Sequence, residues 1–190
     1  YKVEPMSKDE LPDLKETLKA GWQGMLLPVS AVQNVDLARI AFGQTIAVTG
    51  LQLALATASA INGGYYYTPQ LVSSIYADNG IVAETIKPNL KNRVISEKAS
   101  EILNQMLEKV VSEGSGKQAY IERYKVAGKT GTAQSGIFEQ GEEICRTWFS
   151  GFFPALNPHY IVVVMSEKGS SGNSYCAPVF RKICEGICTK

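Results

Sequence analysis

The stretch YKVAGKTGTAQSG, residues 124–136, carries the polar letters KTGT where a strand of this chain would ordinarily be apolar. Side chains alternate across a strand, so Thr130, Thr132 and Gln134 should share one side. A polar row interrupted by Gly131 is typical of a strand edge that a ligand approaches closely. The hydroxyls, with the lysine before them, suit a ligand carboxylate. The plain alternative is a strand end with a solvated lysine.

Composition bounds the function classes. The chain has 190 residues, of which 45% are hydrophobic, so it can bury a core as one domain. Its 19 basic and 18 acidic residues give a net charge of +1 and form no block of like charge, which argues against a nucleic-acid partner. The longest apolar run, residues 46–61, is too short and polar for a membrane span, and the N-terminus is polar from the start. We therefore expect this chain to be soluble.

The four cysteines, Cys145, Cys176, Cys184 and Cys188, contain no C-x-x-C pair. With the single histidine, His159, they make a poor zinc site, so we predict no metal and no cofactor. Free buried or half-buried thiols are the leading expectation. An antiparallel hairpin would also allow a disulfide between Cys145 and Cys176.

The first half predicts helices and a small hairpin. Residues 1–36 look irregular. Thr49 and Gln52 then form a capping box, which starts a helix that Gly63-Gly64 ends. Within residues 65–88, Asp78-Asn79-Gly80 predicts a tight turn between two short strands. Residues 96–116 predict a helix with one buried apolar stripe formed by Ile102, Leu103, Met106, Leu107 and Val110.

The last third predicts a hairpin and a closing helix. Residues 145–169 read as two strands joined by PALNP, and the apolar run 161–164 predicts a central strand covered on both faces. Residues 177–190 read as a helix with Pro178 at its first position and an inner face formed by Val179, Ile183 and Ile187. The fold class is therefore α/β, in α+β mixed layers, with an antiparallel sheet flanked by helices.

The K-T-G motif and the sequence around it resemble a known protein family. K-T-G, with S-x-x-K and S-x-N, is the signature of penicillin-binding proteins and serine β-lactamases. The surrounding sequence is similar to the transpeptidase domain of class B, monofunctional penicillin-binding proteins over most of residues 37–187. The stretches that carry this similarity are IAFGQTIAVTGLQLALATASAINGGYYYTPQLV (40–72), VAGKTGTAQ (126–134), RTWFSGFFPALNPHYIVVVM (146–165) and CAPVFRKICEGI (176–187).

The resemblance implies a serine D,D-transpeptidase that cross-links peptidoglycan stem peptides and is inactivated by β-lactams. The parent protein would be membrane-anchored and extracytoplasmic. Lys129 would hold positive charge beside the nucleophile. Thr130 and Thr132 would bind the substrate carboxylate, and the Thr132 backbone N–H would help to form the oxyanion hole. Gly131 would allow close approach of the acyl chain, and Gln134 would extend the binding edge.

The sequence departs from this family at the nucleophile. None of the serines in the 190 residues is followed by lysine three positions later. The literal S-x-N match, Ser171-Gly172-Asn173, comes after K-T-G and reads as a loop coincidence. We therefore expect a C-terminal portion of one transpeptidase domain, residues 1–190, that is inactive alone. It would need the missing N-terminal half of the domain, or would self-associate through an unpaired sheet edge.

Two other functions remain open on the same residues. A β-lactamase or D,D-carboxypeptidase would use the same fold and give the acyl group to water. A non-catalytic β-lactam sensor or binding module would keep the pocket without acylation. Fold analogy alone does not decide between these functions.

Overall fold

The computed structural model describes residues 28–44 and 46–188. The chain divides into two units, Tyr1–Leu53 and Ala54–Lys190. Of the lead-in predicted to be irregular, residues 28–36 hold a 3-10 turn, Val29–Ala31, and the start of helix α1, Asn34–Ile40. Residues 1–27 lie outside the described part. None of the helices in the described ranges has the length and hydrophobicity needed to cross a bilayer.

Helix α2, Gly50–Ile61, begins where the capping box predicts. The Thr49 N–H donates to Gln52 Oε1 at 2.9 Å, and the Gln52 N–H donates to Thr49 Oγ1 at 3.2 Å. The helix is followed by Gly63 and Gly64, both with positive φ. The Gly64 position admits no side chain, because a Cβ there would lie 2.0 Å from the Ile95 carbonyl oxygen.

Four short strands follow α2 as two antiparallel pairs. They are β1 (Tyr65–Thr68), β2 (Ser74–Tyr76), β3 (Val82–Thr85) and β4 (Asn89–Arg93), with β1 paired to β4 and β2 paired to β3. The Asp78-Asn79-Gly80 turn is confirmed between β2 and β3, with Gly80 at φ 77°. The sequence predicted two strands here. It missed β1 and β4; every residue of β4 is exposed, and all but Leu90 are polar.

The main sheet contains β5 (Ala127–Glu139), β6 (Glu142–Phe153) and β7 (Tyr160–Gly169), all antiparallel and in the order β5-β6-β7. The predicted hairpin across PALNP is confirmed. The prediction that 161–164 forms the central strand is wrong. The centre is β6, whose residues Phe149–Phe153 are all buried, whereas β7 is an edge strand among the described residues and its 161–164 run is half-buried.

Helix α3, Glu97–Ser112, starts at Ser96, whose Oγ accepts from the Ala99 N–H at 3.2 Å. Part of its predicted inner stripe is wrong, since Ile102 is 43% exposed and Met106 is 58% exposed. The buried face instead runs through Ser100 and Val111, with Leu107 packed between them against the core. Ser100 belongs there because its hydroxyl donates to the Ala60 carbonyl at 2.7 Å, which ties α3 to α2.

Helix α4, Ala177–Cys188, follows one π-helical turn, Gly172–Cys176, and carries Pro178 at its second position, one residue later in the helix than predicted. Its predicted inner face is wrong: Val179, Ile183 and Ile187 are 44%, 38% and 37% exposed. The helix turns its other stripe inward, formed by Ala177, Phe180, Cys184 and Cys188. Phe180 decides this rotation, because its ring fills the space beside Gly151, where a Cβ would lie 2.6 Å away.

Each face of the main sheet has its own core. One core joins Phe149 and Phe153 to α4 and the end of α3, with the Phe149 and Phe180 ring centroids 4.8 Å apart. The other joins Ala127 and Phe152 to Ile61 of α2. The expected antiparallel sheet flanked by helices is thus confirmed, and β5 and β6 are held between two packed layers.

All four cysteines are free thiols, which confirms the expectation of free buried or half-buried thiols. The Cys145–Cys176 disulfide is wrong: Cys176 Sγ lies 3.5 Å from Thr147 Oγ1, while Cys145 Sγ lies 3.9 Å from the Glu143 carbonyl oxygen. Cys176 and Cys184 are buried. Burial raises the pKa of the Cys184 thiol to about 12, and the nearby Cys188 thiol adds to that rise.

Candidate functional site

The K-T-G residues occupy strand β5, which is an edge strand of the main sheet within residues 28–44 and 46–188. Lys129 pairs with Ser150 and Gly131 pairs with Trp148 across to β6. Because side chains alternate, Lys129 and Gly131 share the face of the core around Ala127, and Thr130 and Thr132 lie on the opposite face. Thr130 and Thr132 thus share one side of the strand, as the alternation predicts, and the Lys129 side chain lies on the other side.

Lys129 is exposed, and its Nζ donates to the carbonyl oxygen of Thr130 at 2.9 Å. Its cross-strand partner, Ser150, is buried and hydrogen-bonds to Thr57 of α2, with the two hydroxyl oxygens 2.8 Å apart. That bond ties α2 to β6 directly opposite Lys129. The lysine backbone is fixed by the sheet, while the ammonium remains open to a ligand or a partner side chain.

Gly131 lies beneath the indole of Trp148. A Cβ at Gly131 would lie 1.9 Å from Trp148 Cε2 and 2.1 Å from its Nε1. The family resemblance predicted that Gly131 lets the acyl chain of a substrate approach closely. The space on its side-chain face belongs to Trp148, so the absence of a Cβ serves this packing. Sequence reasoning missed Trp148, although its place in the strand predicted after K-T-G could have suggested it.

The two threonine hydroxyls have different neighbours. Thr130 Oγ1 lies 3.3 Å from Ser115 Oγ, and either hydroxyl can donate to the other. Thr132 Oγ1 accepts a hydrogen bond from the backbone N–H of Gly172 at 3.2 Å. Thr132 is exposed while Thr130 is half-buried. Ser115 and Gly172 are the residues that the sequence did not connect with the K-T-G strand.

Gln134 lies farther along β5, where a bulge separates it from Ile137 in the pairing with β6. Its Nε2 donates to Glu143 Oε2 at 2.8 Å, and Glu143 Oε1 accepts from the Gly136 N–H at 3.0 Å. The glutamate therefore holds the amide of Gln134 against β6. Gln134 is exposed on β5 with its amide donor paired to Glu143, and its place on a binding edge stays a prediction.

The Ser171-Gly172-Asn173 tripeptide lies between β7 and α4, where the sequence predicted a loop. Ser171 caps the π-helical turn Gly172–Cys176, and Gly172 and Asn173 are its first two residues. Ser171 Oγ accepts from the Ser174 N–H at 3.1 Å, and Asn173 Oδ1 accepts from the Gln118 N–H at 3.2 Å. The tripeptide is nevertheless in contact with the K-T-G strand through Gly172. Its position links the end of the sheet to the segment before β5.

An ion pair steadies the approach to β5. Lys125 Nζ lies 2.7 Å from Glu108 Oε1 of α3. The hydrogen bond and the negative charge of Glu108 raise the pKa of Lys125. This lysine is therefore committed to α3, unlike Lys129.

A separate cavity of about 540 Å³ lies where the end of α2 meets the β6–β7 link. It contains no residue of the K-T-G strand; its walls include Ile61, Asn62, Asn104, Leu156, Asn157 and His159. Asn104 Nδ2 donates to the Ile61 carbonyl at 3.3 Å, and its Oδ1 is buried with no hydrogen-bond partner. The cavity lining mixes polar and apolar side chains and includes no residue of β5.

Residues 17–185 match the family model of the penicillin binding protein transpeptidase domain. Stage V sporulation protein D of Bacillus subtilis is 38% identical over 170 residues, covering 84% of this chain and 26% of that protein. The FtsI homologue of Mesostigma viride, a peptidoglycan D,D-transpeptidase, is 31% identical over 173 residues, covering 81% of this chain and 29% of that protein. The chain thus spans less than a third of either relative.

Solved structures agree with these relatives. Penicillin binding protein 3 of Mycobacterium tuberculosis in complex with ampicillin superposes with a TM-score of 0.74 at 28% identity, covering 87% of this chain and 40% of that one. Its apo form gives 0.75 at 27% identity over the same shares. The arrangement of β5–β7 and their flanking helices is therefore one that β-lactam-binding proteins use.

Proposed function

This chain belongs to the penicillin binding protein transpeptidase domain family, and we propose that it forms the K-T-G side of a peptidoglycan D,D-transpeptidase site. One observation carries the proposal: Lys129 and Thr132 are exposed on β5, an edge strand whose backbone is fixed by β6. A transpeptidase must bind an extended peptide and stabilise an oxyanion, and an edge strand with a cation and a hydroxyl supplies groups for both tasks.

The residues of this edge take separate roles in the proposal. Lys129 places its ammonium beside the nucleophile and favours its ionised form. The hydroxyls of Thr130 and Thr132 donate to the substrate or β-lactam carboxylate. The Thr132 N–H stabilises the oxyanion, and loss of one such donor typically raises the barrier by about 3–4 kcal/mol. Gln134 extends the binding edge.

The nucleophile is proposed to come from sequence outside these 190 residues. No serine here precedes a lysine at the spacing that would place both on one helix face, and the chain covers 26–29% of two named relatives. The fold supports this reading, because β7 has a free edge among the described residues and α4 exposes the apolar stripe Val179, Ile183 and Ile187. Both features suit a chain that packs against the rest of a domain, and both could also support self-association.

The substrate class follows from the same proposal. The serine would attack the carbonyl of the penultimate D-alanine of a stem peptide, forming an ester to the enzyme as the bond to the terminal D-alanine breaks and that residue leaves. An amine would then attack the ester, take the acyl group as an amide and free the serine. Such peptides lie outside the cytoplasmic membrane, so the parent protein would be membrane-anchored and extracytoplasmic. Work in cell division or elongation fits relatives named FtsI homologue and MrdA.

The experiment is acylation of the full-length gene product by a fluorescent penicillin. The proposal expects one covalent label per molecule and slow turnover of a chromogenic cephalosporin. Rapid turnover would instead indicate a β-lactamase. Reversible binding without a covalent adduct would indicate a sensor. Release of D-alanine from a stem-peptide donor, with transfer to an added amine, would separate a transpeptidase from a D,D-carboxypeptidase.

A further inference from the structure

The loop between β7 and α4 approaches the K-T-G strand more closely than any residue with a side chain could. A Cβ at Gly172 would lie 2.4 Å from the Trp148 carbonyl oxygen, 2.7 Å from the Gly131 carbonyl oxygen and 3.0 Å from the Gly131 nitrogen. All three obstructing atoms are backbone atoms of β5 and β6, so no rotamer change would relieve the clash. Gly172 is therefore required for this contact.

The close approach of Gly172 to β5 places its backbone N–H within hydrogen-bonding distance of the Thr132 hydroxyl. The Gly172 N–H donates to Thr132 Oγ1 at 3.2 Å. A threonine hydroxyl has one hydrogen and two lone pairs, so the bond from Gly172 occupies a lone pair and directs the hydroxyl hydrogen elsewhere. Since Thr132 is exposed, that hydrogen can face an incoming ligand. A hydroxyl that already accepts is also polarised into a better donor.

Thr130 lacks this arrangement. Its hydroxyl faces Ser115 Oγ at 3.3 Å, and either of the two can donate, so its hydrogen can be spent within the protein. The two threonines of the K-T-G strand are thus unequal before any ligand binds. Thr132 accepts from the protein and keeps its donor for the ligand.

The Gly172 amide is itself held in place from both sides. Ser171 Oγ accepts from the Ser174 N–H at 3.1 Å, which fixes the start of the π-helical turn. Asn173 Oδ1 accepts from the Gln118 N–H at 3.2 Å, which anchors the turn to the segment before β5. The loop is a preorganised support that orients the Thr132 hydroxyl.

We propose that Gly172 is a positioning residue whose backbone N–H orients the Thr132 hydroxyl to donate to the carboxylate of a stem peptide or β-lactam. This inference rests on the proposed function for its ligand. The Ser171-Gly172-Asn173 tripeptide, which the family signature leaves unexplained at this place in the chain, then gains a role. It supports the K-T-G strand.

The test uses the full-length gene product and four variants: Gly172→Ala, Thr132→Val, Thr132→Ser and the double variant Gly172→Ala/Thr132→Val. Acylation rates are measured with benzylpenicillin and with its methyl ester, in which the carboxylate is masked. Loss of a hydrogen bond to a charged group corresponds to roughly a 10-fold or greater loss, so Gly172→Ala and Thr132→Val should each slow the acid by about that factor. The ester should change by less than about 2-fold, since it carries no carboxylate for the hydroxyl to bind.

Two outcomes separate positioning from a general structural role. If Gly172 acts through Thr132, the double variant reacts with the acid as slowly as Thr132→Val alone, and Thr132→Ser, which keeps a hydroxyl, recovers most of the rate that Thr132→Val loses. Additive losses, or equal losses for the ester and the acid, would overturn the inference. Because the Cβ clash in Gly172→Ala can prevent folding, Thr132→Val and Thr132→Ser are also compared by a second measurement that needs no activity.

That second measurement is hydrogen exchange of the Gly172 amide by NMR in the unliganded protein. Thr132→Val should speed the exchange, and Thr132→Ser should leave it slow. Unchanged exchange in Thr132→Val would overturn the inference even if the protein is an active transpeptidase. Wild-type protein that is not acylated at all would instead overturn the proposed function and the ligand assigned here, while the exchange data would still report on the hydrogen bond.

Discussion

Replacing Gly131 by alanine tests the packing of the K-T-G strand most sharply. The new Cβ would lie 1.9, 2.1 and 2.4 Å from Trp148 Cε2, Nε1 and Cζ2. Carbon atoms pack at about 3.5–4.0 Å, so the indole must retreat by roughly 1.5 Å or β5 must move away from β6. Overpacking of this kind costs about 1–3 kcal/mol, which is the expected fall in the free energy of unfolding.

Urea unfolding of this chain followed by far-UV circular dichroism measures that fall. Gly186→Ala is the matched control, because nothing lies within 4 Å of a Cβ there and the residue is inside α4. It should stabilise the chain by about 0.5–1 kcal/mol. Combining Gly131→Ala with Trp148→Ala should remove the penalty, since the obstructing ring is gone. A Gly131→Ala chain as stable as wild type, or one that is equally destabilised when Trp148 is also alanine, would show that the indole does not occupy this space.

Further predictions concern the helices and a buried thiol. Val111→Ala should lower the unfolding free energy by roughly 2 kcal/mol in urea titrations, whereas Met106→Ala should change it by less than about 0.5 kcal/mol; equal effects would contradict the assigned inner face of α3. Thr49→Ala should cost about 1 kcal/mol while Thr49→Ser keeps most of the cap, as thermal unfolding would show. Folding raises the pKa of the Cys184 thiol from 9.0 to about 12, so above pH 9 the unfolded chain ionises first. The contribution of this thiol to the free energy of unfolding is therefore complete below pH 9 and is lost as pH rises toward 12. Wild-type protein should therefore lose stability over that window faster than Cys184→Ala, and parallel pH curves would exclude this role.

Local signals predicted much of the fold. The capping box at Thr49, the Asn79-Gly80 turn and the strands flanking PALNP each depend on neighbouring residues, and each is confirmed. The orientation of α4 could not be predicted in this way, because the helix carries two apolar stripes. The Phe180 stripe is the buried one and the Ile183 stripe is exposed, because Gly151, which is distant in sequence, leaves room for the Phe180 ring.

The site shows the same division. The sequence placed a lysine, hydroxyls and Gln134 on a strand edge, and the structure has them there. It could not place Gly172 beside Thr132, since the two residues are 40 positions apart and their contact depends on how the loop after β7 packs. Trp148 covers Gly131 only because of the β5–β6 register, which no local pattern specifies.

The central claim is that these residues form one side of an acylation site whose serine lies elsewhere. Intact-protein mass spectrometry after incubation with benzylpenicillin tests it most directly, on this 190-residue chain and on the full-length gene product in parallel. We expect no mass increase for the 190-residue chain and the added mass of one penicillin for the full-length protein. Replacing the predicted S-x-x-K serine of the full-length protein by alanine should abolish that increase. A stoichiometric adduct on the 190-residue chain, or none on the full-length protein, would contradict the central claim.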